Sequence, residues 1–426
     1  MYILFMTDYL LRPLASTLLH AKRKTVILEG ARAVGKTMMA QRQLVPAGFA
    51  YETLADPSTY ELASTDLYGW LRSLTAPVII DEAQRIADLP LAVKEIVDAM
   101  PSGGIRFLLT GSALINRNGL DGQDPLARRA QRFTMCPLTQ REIRHISHSI
   151  VDDLWDGDPN GDFDSGITRP ELFDLMAAGG FPEYRQEYST YEDWERERLI
   201  TDDIRTVLGD TILPDEKLDV VIAENILDRL LCVPGGIMNA SALGSALALD
   251  RRTVERYVGI FMRRFLIHAL PNIRTVPNRQ TFSRAKIHPV DTSLSMQTML
   301  SKGRDPLTSP VDFGNLLESF VVNQIIPATQ WSSQHPDCFY WRQPGTNPKE
   351  VDLVMSRRNR LVGVEVKSSS TITREDFKGL VELAKDDRFH RGYLIYTGAR
   401  IMKWPGNLWA LPVTALWDGN AFTPQL

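Results

Sequence analysis

Gly30-Ala31-Arg32-Ala33-Val34-Gly35-Lys36-Thr37 has the pattern G-x-x-x-x-G-K-T. Thr25-Val26-Ile27-Leu28-Glu29 before it is a β-branched, apolar run, and Thr37-Met38-Met39-Ala40-Gln41-Arg42-Gln43 after it holds helix formers without a breaker. Strand, glycine turn and helix start bring successive backbone N–H groups to one point, where they bind phosphate. Only glycine tolerates the backbone angles and the close approach that this turn requires. In this reading the cofactor-binding set is Gly30, Ala31, Arg32, Ala33, Val34, Gly35, Lys36 and Thr37. Lys36 reaches the β- and γ-phosphates of ATP, and the Thr37 hydroxyl holds Mg²⁺.

Working outward, residues from about 20 to 135 alternate strand and helix patterns, as a parallel sheet with crossover helices does. Strands are expected at Val78-Ile79-Ile80 and Arg106-Phe107-Leu108-Leu109-Thr110, with a helix over 91–100 that stops at Pro101. Near-continuous apolar strands mean burial on both faces. Asp81, at the end of the first of these strands, joins Thr37 as a Mg²⁺ residue, and Glu82 is the candidate group that polarises the attacking water. The second strand runs into Thr110-Gly111-Ser112, where Ser112 is placed to contact the γ-phosphate or the water. Arg128 and Arg129 follow, and Arg129 is the candidate cation for the transferred phosphoryl group. The catalytic set is therefore Glu82, Lys36, Ser112 and Arg129.

The order of these motifs resembles the AAA-type P-loop ATPases of bacteria and archaea that carry a C-terminal domain of unknown function. The resemblance rests on the phosphate loop, Val78-Ile79-Ile80-Asp81-Glu82-Ala83, Leu108-Leu109-Thr110-Gly111-Ser112, the arginines before Pro137-Leu138-Thr139, and the lead-in Tyr9-Leu10-Leu11-Arg12-Pro13-Leu14. Two departures stand out. Met38 replaces a usual second Thr, and Arg128-Arg129 stands where a Gly-Arg pair is usual.

Further along, Asp152–Asp162 is acidic and Gly-bearing; its spacing does not fit a calcium loop, and a solvated surface loop is expected. Residues 240–250 and 251–258 read as helix, turn and second helix, resembling a helix-turn-helix within a winged-helix unit. Arg251, Arg252 and Arg256 either meet DNA phosphates or are solvated on a packing connector. From about 305 the pattern is α/β again. A helix over 314–323 carries Glu318, a strand carries Asp352, and the next strand carries Glu365 and Lys367 on one face. This set is similar to the PD-(D/E)xK nuclease core. That resemblance implies a second divalent-metal site at Glu318, Asp352 and Glu365 with Lys367 beside it. A nuclease fold also persists in proteins that only bind, so cleavage and binding both stay open.

The 426 residues carry 44% hydrophobic and 23% charged side chains with net charge −4, an ordinary globular composition too long for one core. Cys136, Cys232 and Cys338 show no C-x-x-C spacing, which points to a reducing compartment. Met1–Met6 is apolar but short, and no run is long enough to span a bilayer, so a cytoplasmic chain is expected. The expected fold is α/β: a P-loop parallel-sheet ATPase domain over 1–140, a helical connector with the acidic loop over 141–215, a winged-helix-like domain over 216–280, and a restriction-endonuclease-like domain over 305–426. ATP and Mg²⁺ are the expected cofactors. DNA and further copies of the chain are the candidate macromolecular partners. The expected activity is ATP hydrolysis that controls the C-terminal domain; the alternatives are an ATP-dependent nuclease acting on DNA and a non-enzymatic, ATP-switched DNA-binding regulator.

Overall fold

The apolar run ahead of the phosphate loop forms strand β1 (Thr25–Gly30), buried along its whole length in the computed structural model. The structure describes residues 9–101, 103–112, 115, 124–209, 218–273, 284–343, 345 and 348–423; the Met1–Met6 expectation lies outside them. β2 (Ala50–Thr53), β3 (Val78–Asp81), β4 (Phe107–Gly111) and β5 (Ala130–Met135) complete a five-stranded sheet in the order β2-β3-β4-β1-β5. Every pairing in it is parallel. Alternation along β1 shows why both faces are apolar. Val26 and Leu28 pack with Leu14, Leu18, Met39 and Leu44, whereas Ile27 packs with Leu71, Leu89, Val93 and Val97. The helix expected over 91–100 is Leu89–Ala99. The helix expected after Thr37 forms as Lys36–Met39 and continues as a π-helical turn, Ala40–Leu44.

The acidic stretch 152–162 is not the solvated loop expected of it. Ser149 caps a helix, Ile150–Asp156, whose Ile150, Val151, Leu154 and Trp155 are buried. Its aspartates face polar partners: Asp152 accepts from Ser332 and Ser333, and Asp153 pairs with Arg141 at 2.6 Å. Strand β6 (Asp158–Pro159) then pairs antiparallel with the distant Phe422–Thr423. The segment was misread because apolar residues at helical spacing are interleaved with aspartates.

The middle of the chain holds the helices Asp193–Gly209, Val220–Leu231, Ala240–Leu247 and Arg251–Arg263. Asn239 and Asp250 cap the last two, and Ala248 turns between them in the left-handed region. Val254, Tyr257, Val258 and Phe261 are buried on the inner face of the second. β7 (Gly236–Ile237), β8 (Ile267–Leu270) and β9 (Lys286–Pro289) form a small antiparallel sheet in the order β7-β9-β8.

The C-terminal sheet comprises β10 (Asp337–Arg342), β11 (Glu350–Arg357), β12 (Arg360–Lys367), β13 (Phe389–Tyr396), β14 (Met402–Trp404) and β15 (Leu408–Pro412), with β16 (Phe422–Thr423) pairing β6. Its order is β10-β11-β12-β13-β15-β14, antiparallel through β12 and at β14, parallel from β12 through β13 to β15. The helix Pro310–Ala328 lies on it, and the helices Ile150–Asp156 and Arg169–Ala178 share its core.

Candidate functional site

The phosphate loop is shaped by two glycines. A Cβ on Gly30 would fall 2.1 Å from the Met135 carbonyl oxygen of the neighbouring strand, and Gly35 has φ +92°. The Lys36 ammonium donates across the loop to the carbonyls of Gly30 (2.9 Å) and Ala31 (2.7 Å). Burial pushes its pKa down to about 8, against the opposing pull of Glu82 and Asp81.

Asp81 gathers four donors. Thr37 Oγ1 and the Tyr51 hydroxyl each donate to Oδ2 at 2.7 Å, Thr110 Oγ1 donates to Oδ1, and the Glu82 N–H reaches Oδ1 at 3.1 Å. The Thr37 hydroxyl and the Asp81 carboxylate thus converge as a Mg²⁺ site beside a nucleotide requires, and the residues fit that ion. Glu82 sits in the left-handed region at φ +56°, a strained position of the kind that clusters at active sites. The Gln84 amide nitrogen donates to Glu82 Oε2 and, at 3.2 Å, to Ser112 Oγ. Gln84 Oε1 is enclosed without a hydrogen-bond partner.

Beside these groups is a cavity of about 630 Å³ lined by Gly35, Lys36, Thr37, Glu82 and Ser112 together with Arg12, Arg32 and Arg42; Asp81 and Gln84 stand behind this lining. Pro182, Glu183 and Gln186, from the helix Pro182–Glu187 beyond the five-stranded parallel sheet, form another wall. Arg129 is elsewhere. Its Nε contacts both oxygens of Asp98 (2.7 and 2.9 Å) on the surface, and it does not line the cavity. Arg128 is exposed with φ +63°. Tyr51 and Gln84 were missed by the sequence reading. Gln84 follows Glu82 by only two positions, and that proximity is the signal that was present.

The C-terminal residues come together as well. Lys367 Nζ contacts Glu365 Oε1 at 2.7 Å, and the Val366 N–H donates to Asp352 Oδ2 at 2.9 Å. Among them lies a side chain that sequence reasoning missed, Lys286 of β9. Its Nζ is 2.9 Å from Glu318, 2.7 Å from Asp352 and 2.6 Å from Glu350. Burial, then the Asp352 charge, pushes Glu318 up to about 8, and the same two causes hold Glu365 well above the carboxylate range. Burial alone would lower Lys286, but Asp352, Glu318 and Glu350 hold it well above its ordinary value. Among the described residues no group of three or more His, Cys, Asp or Glu is arranged to hold a metal ion; the cation between these carboxylates is the lysine.

No helix among the described residues is long and apolar enough to cross a membrane. The chain is 26% identical over 368 residues to an uncharacterized protein of Mycobacterium tuberculosis and equally to one of Mycobacterium bovis, covering 84% of this chain and 74% of each relative. A Walker-type ATPase of Pyrococcus abyssi superposes with a TM-score of 0.41 at 12% identity, covering 67% of this chain and 94% of that one. Residues 313–416 match a domain of unknown function, DUF4143, and residues 169–305 match another, DUF8612. Residues 22–144, the segment bearing the phosphate loop, Asp81, Glu82 and Ser112, match the family model described as an AAA domain.

Proposed function

We propose that the chain is a Mg²⁺-dependent ATPase whose nucleotide cycle sets the state of a C-terminal, nuclease-like domain. The observation that carries this reading is the convergence of Lys36, Thr37 and Glu82 on one cavity, with the Asp81 carboxylate held behind Thr37 by a 2.7 Å hydrogen bond. The loop N–H groups and Lys36 bind the β- and γ-phosphates, and Thr37 and Asp81 hold Mg²⁺, which when bound neutralises charge on the phosphate oxygens. Glu82 orients a water and accepts its proton as the water oxygen bonds to the γ-phosphorus. The bond to the bridging oxygen breaks, and ADP leaves. Purified protein is expected to hydrolyse ATP, and Glu82→Gln is expected to lower turnover by about 100-fold or more while ATP binding persists. Failure of the wild-type chain to bind ATP overturns the reading.

With Lys286 between them, Glu318 and Asp352 are not arranged as a metal site as they stand; we propose that, with Glu365, they take a divalent metal once that lysine is displaced, with DNA as the candidate substrate. Exposure of Arg251 and Arg252 on the second helix of the helix-turn-helix favours a DNA partner, although Arg251 is also paired with Glu255 at 2.8 Å. A triple alanine variant at Arg251, Arg252 and Arg256 is expected to lose salt-sensitive DNA binding. Metal-dependent plasmid degradation that disappears in Asp352→Ala would establish a live nuclease.

A further inference from the structure

Lys286 does not belong to the C-terminal sheet. It lies on β9, in the small sheet of the middle unit, yet its side chain is only 4% exposed and ends among carboxylates borne by the helix Pro310–Ala328 and by β11. An ammonium has three N–H donors, and three carboxylates lie within 2.6–2.9 Å of this one. The middle unit also lays backbone on the cluster. Gly235, at φ +74°, approaches so closely that a Cβ there would fall 2.9 Å from Glu318 Oε1.

Two buried polar atoms, one on a cluster carboxylate and one beside the cluster, are left without hydrogen-bond partners. Glu365 Oε2 is one, although its other oxygen holds Lys367. The other is Nε2 of the fully buried His288, 3.7 Å from Glu318 Oε1, whose Nδ1 pairs with Ser319 Oγ at 2.9 Å. Buried donors and acceptors are normally satisfied, so the cluster has coordinating capacity that its internal contacts do not use. Oxygens gathered around one cation, with more in reserve, suit a hard divalent ion.

We infer that Lys286 is a built-in counter-cation that occupies the divalent-metal position of the C-terminal carboxylate cluster and keeps the metal out until β9 withdraws. This rests on the reading of Glu318, Asp352 and Glu365 as a metal site. Lys286 excludes the ion by filling the space between the carboxylates and by repelling a second positive charge there. Withdrawal of one strand exposes Glu318, Glu350 and Asp352 together, so the middle unit controls the site with a single side chain.

Mn²⁺ binding to the full, nucleotide-free chain tests this, read by calorimetry and by the paramagnetic signal of free Mn²⁺. Lys286→Gln is expected to take up one Mn²⁺ per chain beyond wild type, at least tenfold tighter than any wild-type binding at the cluster. Lys286→Gln combined with Asp352→Asn is expected to lose that ion, and Lys286→Arg, which keeps the charge, is expected not to gain it. Mn²⁺ held by Thr37 and Asp81 is common to all variants and subtracts. If wild type already binds an Asp352-dependent Mn²⁺ as tightly as Lys286→Gln, the lysine lock is overturned and the metal-site reading survives. If neither binds one, both fall. Should Lys286→Gln unfold without metal, refolding on Mn²⁺ addition that Asp352→Asn abolishes supports the lock, and absence of that rescue overturns it.

Discussion

Lys36 carries opposing demands of stability and binding. Its pKa of about 8, against 10.5 for an ordinary lysine, means that the folded, nucleotide-free chain disfavours the ammonium, the form used in the proposed phosphate contact. The sign follows from proton counts: between about pH 8 and 10.5 the unfolded chain holds the extra proton, so stability rises with pH across that window and is lost as pH falls through 8. Lys36→Met is accordingly expected to stabilise the nucleotide-free protein at pH 7 by about 1–3 kcal/mol in urea unfolding, while abolishing ATP binding. A destabilised Lys36→Met would show that the contacts to Gly30 and Ala31 outweigh desolvation. Gln84 poses a separate question, because its one amide nitrogen serves both Glu82 and Ser112 while Oε1 stays free of hydrogen bonds. Its contacts suit a residue that positions Glu82 in the proposed hydrolysis. Gln84→Ala is expected to lower kcat about 10- to 100-fold with ATP affinity changed less than about threefold. An equal loss in affinity would assign it to nucleotide binding instead.

At the scale of elements, legibility followed how far apart in sequence the determinants lie. The strand–loop–helix around Gly30–Thr37 was readable because its glycines, Lys36 and Thr37 form one contiguous pattern, although the Met135 carbonyl that crowds Gly30 is distant in sequence, and Asp81-Glu82 because a buried strand delivers them together. The helix Arg251–Arg263 was readable because Val254, Tyr257, Val258 and Phe261 keep helical spacing. Lys286 was not. Its meaning depends on Glu318, Glu350 and Asp352, which only tertiary packing brings to it. Arg129 is the opposite case: its place in the chain suits a phosphoryl-directed cation, and in the folded chain it pairs with Asp98 on the surface, outside the cavity. The helix Ile150–Asp156 was hidden by aspartates on its polar side, and it yields a direct test. Leu154 is fully buried there in the C-terminal core. Leu154→Ala is expected to cost about 2–5 kcal/mol in denaturant unfolding, a cavity cost. A loss near zero would restore the surface-loop reading.

Across the whole molecule, the phosphate loop and the C-terminal domain are joined by a short series of buried contacts that begins at Arg12. Its guanidinium donates to the Val34 carbonyl in the loop (3.3 Å) and to the Cys136 carbonyl (2.6 Å), and pairs with Glu142 at 2.8 Å. Glu142 completes a capping box with Thr139 on the helix Gln140–Ile143. In that helix Arg141 donates to the Leu416 carbonyl (2.9 Å), and the Gln140 N–H donates to Gln324 (2.7 Å) on the helix that also bears Glu318. Removing one partner of a buried pair leaves the other uncompensated, so Arg12→Ala is expected to destabilise the chain by about 3–5 kcal/mol. Arg12→Ala with Glu142→Gln is expected to cost less than the sum of the single changes. Proximity alone does not establish coupling, which a charge-conserving change measures more cleanly. With Arg12→Lys the ammonium cannot reach Val34, Cys136 and Glu142 together as the planar guanidinium does. ATP is expected to raise amide hydrogen-exchange protection at 139–146 and 413–417 in wild type. In Arg12→Lys that response is expected to vanish while ATP affinity falls less than about tenfold. Protection that persists in the variant would mean the nucleotide signal crosses by another wall of the cavity, for which the helix Pro182–Glu187 is the next candidate.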